Sequence, residues 1–478
     1  MKKVLILFLF YLAVPASLNA HTGRPAYHII IDTDGALDDM RAITMLLAAS
    51  EIRVLAISTS TGTLDPVDAY IKVNSLLSYF HHEGIPTGIN HSNTGNLPYW
   101  SKFAEEIYWG DSVEMKNPPD AISMLNELTV DYPDKLTLIA MGSLSTYATW
   151  ISEHKNIANQ IERIIWYNEL PVDSGFNYSL DPESFHIIES SGIPLQIVTN
   201  DVNELAFDDN YFRSQENCTS VYAAKIAGTA EQLRSMKQSE MEHLMLADDL
   251  LPLYMTAPML FHETKSGKTS LASPDKSIPV EFMFDIIARL LESGNENNNR
   301  VFENFPVDKN LYKPAVAAIL DSAIHKFGNT EWKAICLTNE IHGHTGIYSI
   351  IGAKMGIRAC EYFNIGVNNL TVTSFAGNSP PLSCLNDGIQ ISTGATIGQG
   401  LITISDTISK IPSALFEFNG QIIRISLDPW IATRIRKDIG EAVKAYGFSE
   451  KYWLNVERLA IEYWCEMDRH QIFIIEKL

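Results

Sequence analysis

His28-Ile29-Ile30-Ile31-Asp32-Thr33-Asp34-Gly35-Ala36-Leu37-Asp38-Asp39 joins a short apolar run to four carboxylates within eight residues. The run 28–31 is short and rich in β-branched side chains, which predicts a buried strand, and the apolar spacing over 40–49 predicts an amphipathic helix directly after it. In open α/β sheets the carboxyl end of such a strand is where ligands bind. Unit charges a few ångströms apart repel too strongly to stay ionised together in a poorly solvated cleft without a cation or raised pKa values. With only oxygen donors nearby, a hard ion such as Ca²⁺ or Mg²⁺ suits the cluster better than Zn²⁺. The plainer alternative is that Asp38 caps the helix, Asp39 sits favourably at its positive end, and Asp32 and Asp34 are solvated turn residues.

Outward from this stretch, β-branched runs at 54–58, 136–141, 161–166 and 195–199 alternate with longer amphipathic segments. That rhythm predicts an α/β fold, a mostly parallel sheet with flanking helices. Residues 264–279 turn rich in Lys, Ser, Gly and Pro, and 293–300 are full of Asn and Glu, so 264–310 reads as a connecting segment. A smaller α+β domain with a helical C-terminus follows over 311–478. It opens with a helical segment to Phe327 and closes with helices over 431–446 and 450–468, the latter with Ser449 as N-cap.

The 478 residues are 46% hydrophobic, enough for two cores, and the 36 basic against 57 acidic residues give a net charge of −21 with no polybasic run. Nucleic acid is therefore excluded as a partner. Lys2 and Lys3, an apolar stretch over 4–14 and small residues ending at Ala20 read as a secretory signal, which implies export to a periplasm or the medium. No later segment is long and apolar enough to cross a membrane, so no membrane association is expected after cleavage. The first domain then spans 21–263. Five cysteines, Cys218, Cys336, Cys360, Cys384 and Cys465, do not make a disulfide framework. Homo-oligomerisation is left open.

Asp32-Thr33-Asp34-Gly35 after a strand resembles the start of haloacid-dehalogenase-type phosphatases, in which the first Asp is the nucleophile. The longer pattern decides otherwise. Asp-x-Asp-x-x-x-Asp-Asp over 32–39, then Leu138-Ile139-Ala140-Met141-Gly142-Ser143-Leu144-Ser145, Phe176-Asn177 with Asp181-Pro182, and Asp248 with Pro258 appear in one order. Together they resemble the inosine/uridine-preferring nucleoside hydrolase family. The resemblance implies that Asp34, Asp39, Asp248 and the backbone carbonyl of Met141 ligate calcium, with Asp34 also acting as general base. It further implies that Asp38 and Asn177 hold the sugar and that Asp32 braces the loop. The expected reaction is water attack on the anomeric carbon of a ribonucleoside or related N-glycoside.

Several positions depart from that pattern. The family's Gly-Asn after the second strand is Gly62-Thr63 here, so Thr63 offers a hydroxyl where relatives offer an amide. Gly175 stands where the family carries a ribose-binding Glu, and Trp166-Tyr167-Asn168 replaces Met-Gly-Gly. The His that helps the departing base leave is Ala247, and Tyr108-Trp109-Gly110-Asp111 lies near the place of the family's histidine loop. His243 and Trp109 become the candidates for the leaving group. With these losses, a catalytically silent ligand- or metal-binding exported protein is the alternative to a hydrolase.

In the second domain, Ile341-His342-Gly343-His344-Thr345-Gly346 is followed by Pro380-Pro381-Leu382-Ser383-Cys384-Leu385-Asn386-Asp387-Gly388-Ile389-Gln390 and Thr393-Gly394-Ala395-Thr396-Ile397-Gly398. Imidazole and thiolate donors suit Zn²⁺. In an extended segment His342 and His344 would share one face. These elements resemble the FmdE family, which takes its name from formylmethanofuran dehydrogenase, although Gly346 and Ala395 stand where many relatives have Cys. The zinc candidates are His342, His344, Cys384 and Asp387.

Overall fold

The computed structural model describes residues 25–478 apart from 92–96, 116, 131, 203–204, 216, 236–245, 294–300 and 303. The secretory signal over 1–20 and His243 lie outside the described residues. The strands of the first sheet are β1 (Tyr27–Thr33), β2 (Ile52–Thr59), β3 (Thr87–Ile89), β4 (Leu136–Ala140), β5 (Ile161–Tyr167), β6 (Leu195–Val198), β7 (Phe261–Ser266) and β8 (Thr269–Pro274). Their order is β3-β2-β1-β4-β5-β6-β8-β7. Every pairing is parallel except β7 with β8. Successive strands step one way from β1 to β3 and the other way from β4 to β6. The switch between β1 and β4 opens the crevice in which such sheets bind ligands.

Side chains of β1 divide between two cores because strand residues alternate in direction. Ile29 and Ile31 pack with the helices Leu37–Ala48, Leu250–Thr256 and Val280–Glu292. Ile30 faces the opposite layer, with Ala121–Thr129 and Ser145–Glu153. Both faces of the sheet are therefore dry, which explains why its strands read as continuous apolar runs.

The segment 264–310, read from its polar composition as a connector, carries regular structure over much of its length. β8 inserts beside β6, and the helix Val280–Glu292 buries Met283, Phe284, Ile287, Leu290 and Leu291 in the first core. Composition misleads here because β8 is built largely from small and polar residues, and the helix shows its amphipathic face only over its whole length.

A second sheet is formed by β9 (Thr371–Ser374), β10 (Ile402–Ile404), β11 (Ser413–Phe418), β12 (Gln421–Leu427) and β13 (Phe473–Lys477), in the order β10-β9-β11-β12-β13. Ile423, Ile425 and Leu427 are buried at alternate positions of β12, as a one-sided sheet requires. They share a core with the helices Ile347–Tyr362, Pro429–Tyr446 and Glu450–Glu466. The helical segment expected to end at Phe327 breaks at Gly328 (φ 83°, ψ 165°) and resumes to His342. Ser449 stands at the N-cap position of the last helix, but its side chain makes no capping bond. All five cysteines are free. Among the described residues no helix is long and apolar enough to cross a membrane.

Candidate active site

The loop after β1 bends back so that the first turn of the helix Leu37–Ala48 presents Asp38 and Asp39 to the crevice. The N-cap position is Ala36, with no side-chain capping bond, so neither aspartate serves as the cap. One oxygen of Asp39, Oδ2, accepts from Thr33 Oγ1 at 2.5 Å and from the backbone amides of Asp34 and Gly35 at 3.0 and 3.2 Å. Its other oxygen, Oδ1, is buried without a donor, as is Oδ1 of Asp248. Ligand oxygens of Asp38, Asp39 and Asp248 lie within 4.8 Å of one another. Burial pushes Asp39 up to about 6, with Asp38 adding repulsion. Asp248 is driven well above the ordinary carboxylate range by burial and then by Asp39. Buried carboxylates with donorless oxygens, gathered this closely, fit a hard cation.

Asp34 is buried beside this trio, its Oδ1 accepting from the amide of Ala36 at 3.2 Å. Burial and then Asp39 raise its pKa well above the usual value, while a backbone bond from Thr63 opposes the rise. Gly62 is required here by close approach, since a Cβ would stand 2.0 Å from Asp34 Oδ2. Asp32 points away from the cluster and accepts from Ser58 Oγ at 2.5 Å and Ser60 Oγ at 2.7 Å. The carbonyl of Met141 accepts from Asn177 Nδ2 at 2.9 Å, and the same nitrogen also reaches the Tyr167 carbonyl at 3.0 Å. The structure thus gathers Asp34, Asp38, Asp39 and Asp248, with Thr63 and Met141 on the adjoining loops and Asn177 in the short helix Phe176–Leu180.

Where the family pattern is lost, the space is filled. A Cβ at Gly175 would stand 2.4 Å from Asn168 Oδ1. Asn168 is fixed in that place by donating to the carbonyls of Glu169 and Val172 at 3.0 and 2.9 Å and accepting from the Tyr178 amide at 3.0 Å. A glutamate at 175 has no room beside it. Ala247 packs partly buried against the first core. Trp109 is buried at the helix Pro66–Tyr79, with its indole nitrogen unpartnered.

Sequence reasoning missed two features. Arg41 grips Asp249 in a fork, Nε to Oδ1 at 2.8 Å and Nη2 to Oδ2 at 2.7 Å, both groups buried directly behind Asp38 and Asp248. The Asp248-Asp249 doublet was the available signal, since two adjacent acids entering an apolar helix need two different partners. Tyr167, at the end of β5, is the second. Burial and the charge of Asp248 push its phenol far up, so it remains a hydroxyl at the wall of the site.

In the second domain His342 closes its helix and Gly343 adopts φ 83°, so the two histidines do not lie in an extended segment. Their rings nevertheless meet, with centroids 4.4 Å apart, and His342 Nδ1 pairs with Asp387 Oδ2 at 2.8 Å. Cys384 ends a short 3₁₀ turn, half-buried, its thiol pushed up by burial and by Asp387. Among the described residues, no three of His342, His344, Cys384 and Asp387 converge as the acidic trio does.

Fold and carboxylate cluster together describe a mostly parallel α/β domain with a buried acidic pocket at the switch point of its sheet. The family model described as inosine-uridine preferring nucleoside hydrolase matches residues 29–309, more than half of the chain, and the chain belongs to that family. Residues 341–473 match the model described as FmdE, molybdenum formylmethanofuran dehydrogenase operon. The chain is similar to Uridine nucleosidase 1 of Arabidopsis thaliana, 23% identical over 252 residues, which are 49% of this chain and 75% of the relative. It is also similar to the pyrimidine-specific ribonucleoside hydrolase RihA of Salmonella arizonae, 26% identical over 223 residues, or 42% and 70%. Among solved structures, an inosine-uridine preferring nucleoside hydrolase from Bacillus anthracis aligns with TM-score 0.45 and 16% identity, covering 56% of this chain and 99% of the other. A plant nucleoside hydrolase aligns with TM-score 0.47 and 18% identity over the same shares.

Proposed function

We propose that the first domain hydrolyses the N-glycosidic bond of ribonucleosides or related N-glycosides and that calcium is held by Asp34, Asp39, Asp248 and the Met141 carbonyl. The observation that carries this reading is the pair of buried, donorless oxygens on Asp39 and Asp248 beside Asp38. When bound, the ion would offset part of the repulsion among the carboxylates and lower the pKa of water at the site. Asp34 accepts the proton from the attacking water as general base. Asp38 accepts from sugar hydroxyls. The negative potential of the cluster favours positive charge developing at the anomeric carbon. Both curated relatives are named for uridine or pyrimidine nucleosides, which makes these the first substrates to try.

A panel of nucleosides and other N-glycosides, assayed with calcium, is expected to show turnover by the wild type and none by Asp34→Ala. Equal background rates for the two proteins eliminate the enzyme. The second reading, a sugar-binding protein without turnover, is favoured by Asn168 filling the room of the ribose-binding acid and by Ala247. A binder retains sugar affinity after Asp34→Asn and shows no hydrolysis before it.

For the second domain we propose zinc at His342, His344, Cys384 and Asp387 from donor chemistry alone, since the four do not converge here. Elemental analysis of the intact protein is expected to show zinc that disappears in His344→Ala/Cys384→Ala. Unchanged zinc content refutes it. Export by way of residues 1–20 is proposed likewise, and N-terminal sequencing of the exported protein should begin just after Ala20.

A further inference from the structure

The turn that follows the helix Pro66–Tyr79 is built into the second domain. Gly84 N–H donates to the Tyr362 carbonyl at 2.8 Å, and Gln421 Nε2 donates to the Gly84 carbonyl at 3.1 Å. Arg358 reaches the His81 carbonyl at 3.1 Å and both carboxylate oxygens of Glu83 at 3.0 Å. The His81 ring stacks on His470 at 3.7 Å and 12°. His82 is buried between the domains. Its Nδ1 lies 2.7 Å from the Glu361 carbonyl, and its Nε2 lies 2.8 Å from the hydroxyl of Tyr222 on the helix Val221–Ser235. The second domain therefore holds this turn through backbone, guanidinium and ring contacts at once.

The opposite end of the same helix touches the catalytic loop. Leu64 N–H donates to the Asp34 carbonyl at 3.0 Å, and Thr59 Oγ1 donates to the Pro66 carbonyl at 2.8 Å. A Cβ on Gly35 would meet Ala69 and Leu64 at 2.9 Å, so helix and loop are in full van der Waals contact. Fourteen helical residues make a rod of about 21 Å. A packed helix moves as a unit, so displacement at one end is felt at the other.

We infer that the FmdE-like domain is a fixed buttress of the carboxylate pocket: its face at Arg358, Glu361, Tyr362 and His470 is the docking surface for the 81–84 turn. Docking sets the position of the helix Pro66–Tyr79 and through it the 62–64 loop against Asp34. His82 is a positioning residue. The kinetic consequence rests on the hydrolase reading; the structural one rests on the fold alone.

The full-length protein with Gly84→Val tests this, because a side chain at 84 would meet Tyr362 at 2.6 Å. His82→Phe serves as the second variant should the first not fold, and His82→Gln is the conservative rescue. Hydrogen exchange is expected to rise about tenfold at 81–86 and also at the Leu64 amide. With substrate, kcat falls about tenfold while KM stays within about twofold, and His82→Gln regains most of the rate. Faster exchange at 81–86 with the Leu64 amide unchanged overturns the inference, and so does unchanged exchange at 81–86 in both disruptive variants. Should the wild type hydrolyse nothing, the exchange at Leu64 still decides.

Discussion

Asp32 has no solvent contact, and burial pushes its pKa up to about 6 against the lowering hydrogen bonds of Ser58, Thr146 and Ser60. Asp39 is pushed to about 6 as well. A folded-state pKa above the unfolded value of 3.8 means that the folded chain keeps a proton the unfolded chain has released. Stability from these groups is therefore present below about pH 4 and is lost as pH rises through 6, at about 3 kcal/mol for a shift of this size. A cation at the acidic cluster reverses the sign for Asp39, because it stabilises the ionised form. Thermal melts of the metal-free protein should fall between pH 4 and 6.5, and the gain on adding calcium should grow over the same window. Asp248→Asn should remove that gain. Melting temperatures that ignore both pH and calcium would contradict the metal assignment. The four acids Asp32, Asp34, Asp38 and Asp39 were legible because they fall within eight residues of one another. The sorting of Asp32 onto Ser58 and Ser60 was not, because those hydroxyls arrive from a neighbouring strand.

Two helices, Leu37–Ala48 and Leu250–Thr256, are joined behind the site by the Arg41–Asp249 fork, with Arg41 also over the Phe207 ring at 4.1 Å. Arg41→Ala leaves a buried carboxylate unpaired next to Asp38 and Asp248, which costs about 3–5 kcal/mol. Urea unfolding should show that loss, and Arg41→Met with Asp249→Leu should recover most of it, since a packed apolar pair removes the uncompensated charge. An Arg41→Ala protein as stable as wild type would mean that Asp249 finds another partner. At this scale the sequence was readable wherever one element carried a full period of its pattern. The buried strands β1, β2, β4, β5 and β6 lie where their apolar runs predict. β3, three residues long, and the polar outer hairpin β7–β8 lack such a run, and only tertiary pairing makes them strands.

Two cores meet across a surface that no local pattern announces: its polar partners come from positions as far apart as His81 and His470. Glu361 organises the second domain's side of it, accepting from Arg469 at 2.6 and 3.0 Å and from His470 at 3.0 Å. Burial alone would raise its pKa, yet Arg469 and His470 overcome this and hold it far below the usual carboxylate range. A depressed folded-state pKa contributes stability above the unfolded value of 4.5, and that contribution is lost as pH falls. The docking face should therefore weaken on acidification, while the protonated carboxylates of the first domain gain. Calorimetry at pH 7 is expected to give one cooperative transition for the whole chain. Glu361→Gln at pH 7 should split it into two, the second domain melting first because its own face has lost the ion pairs to Arg469 and His470, whereas acidification of the wild type should weaken the face only gradually below pH 4.5. Two transitions already present in the wild type at pH 7 would show that the domains are energetically independent, and a single transition persisting in Glu361→Gln would show that this carboxylate does not hold them together.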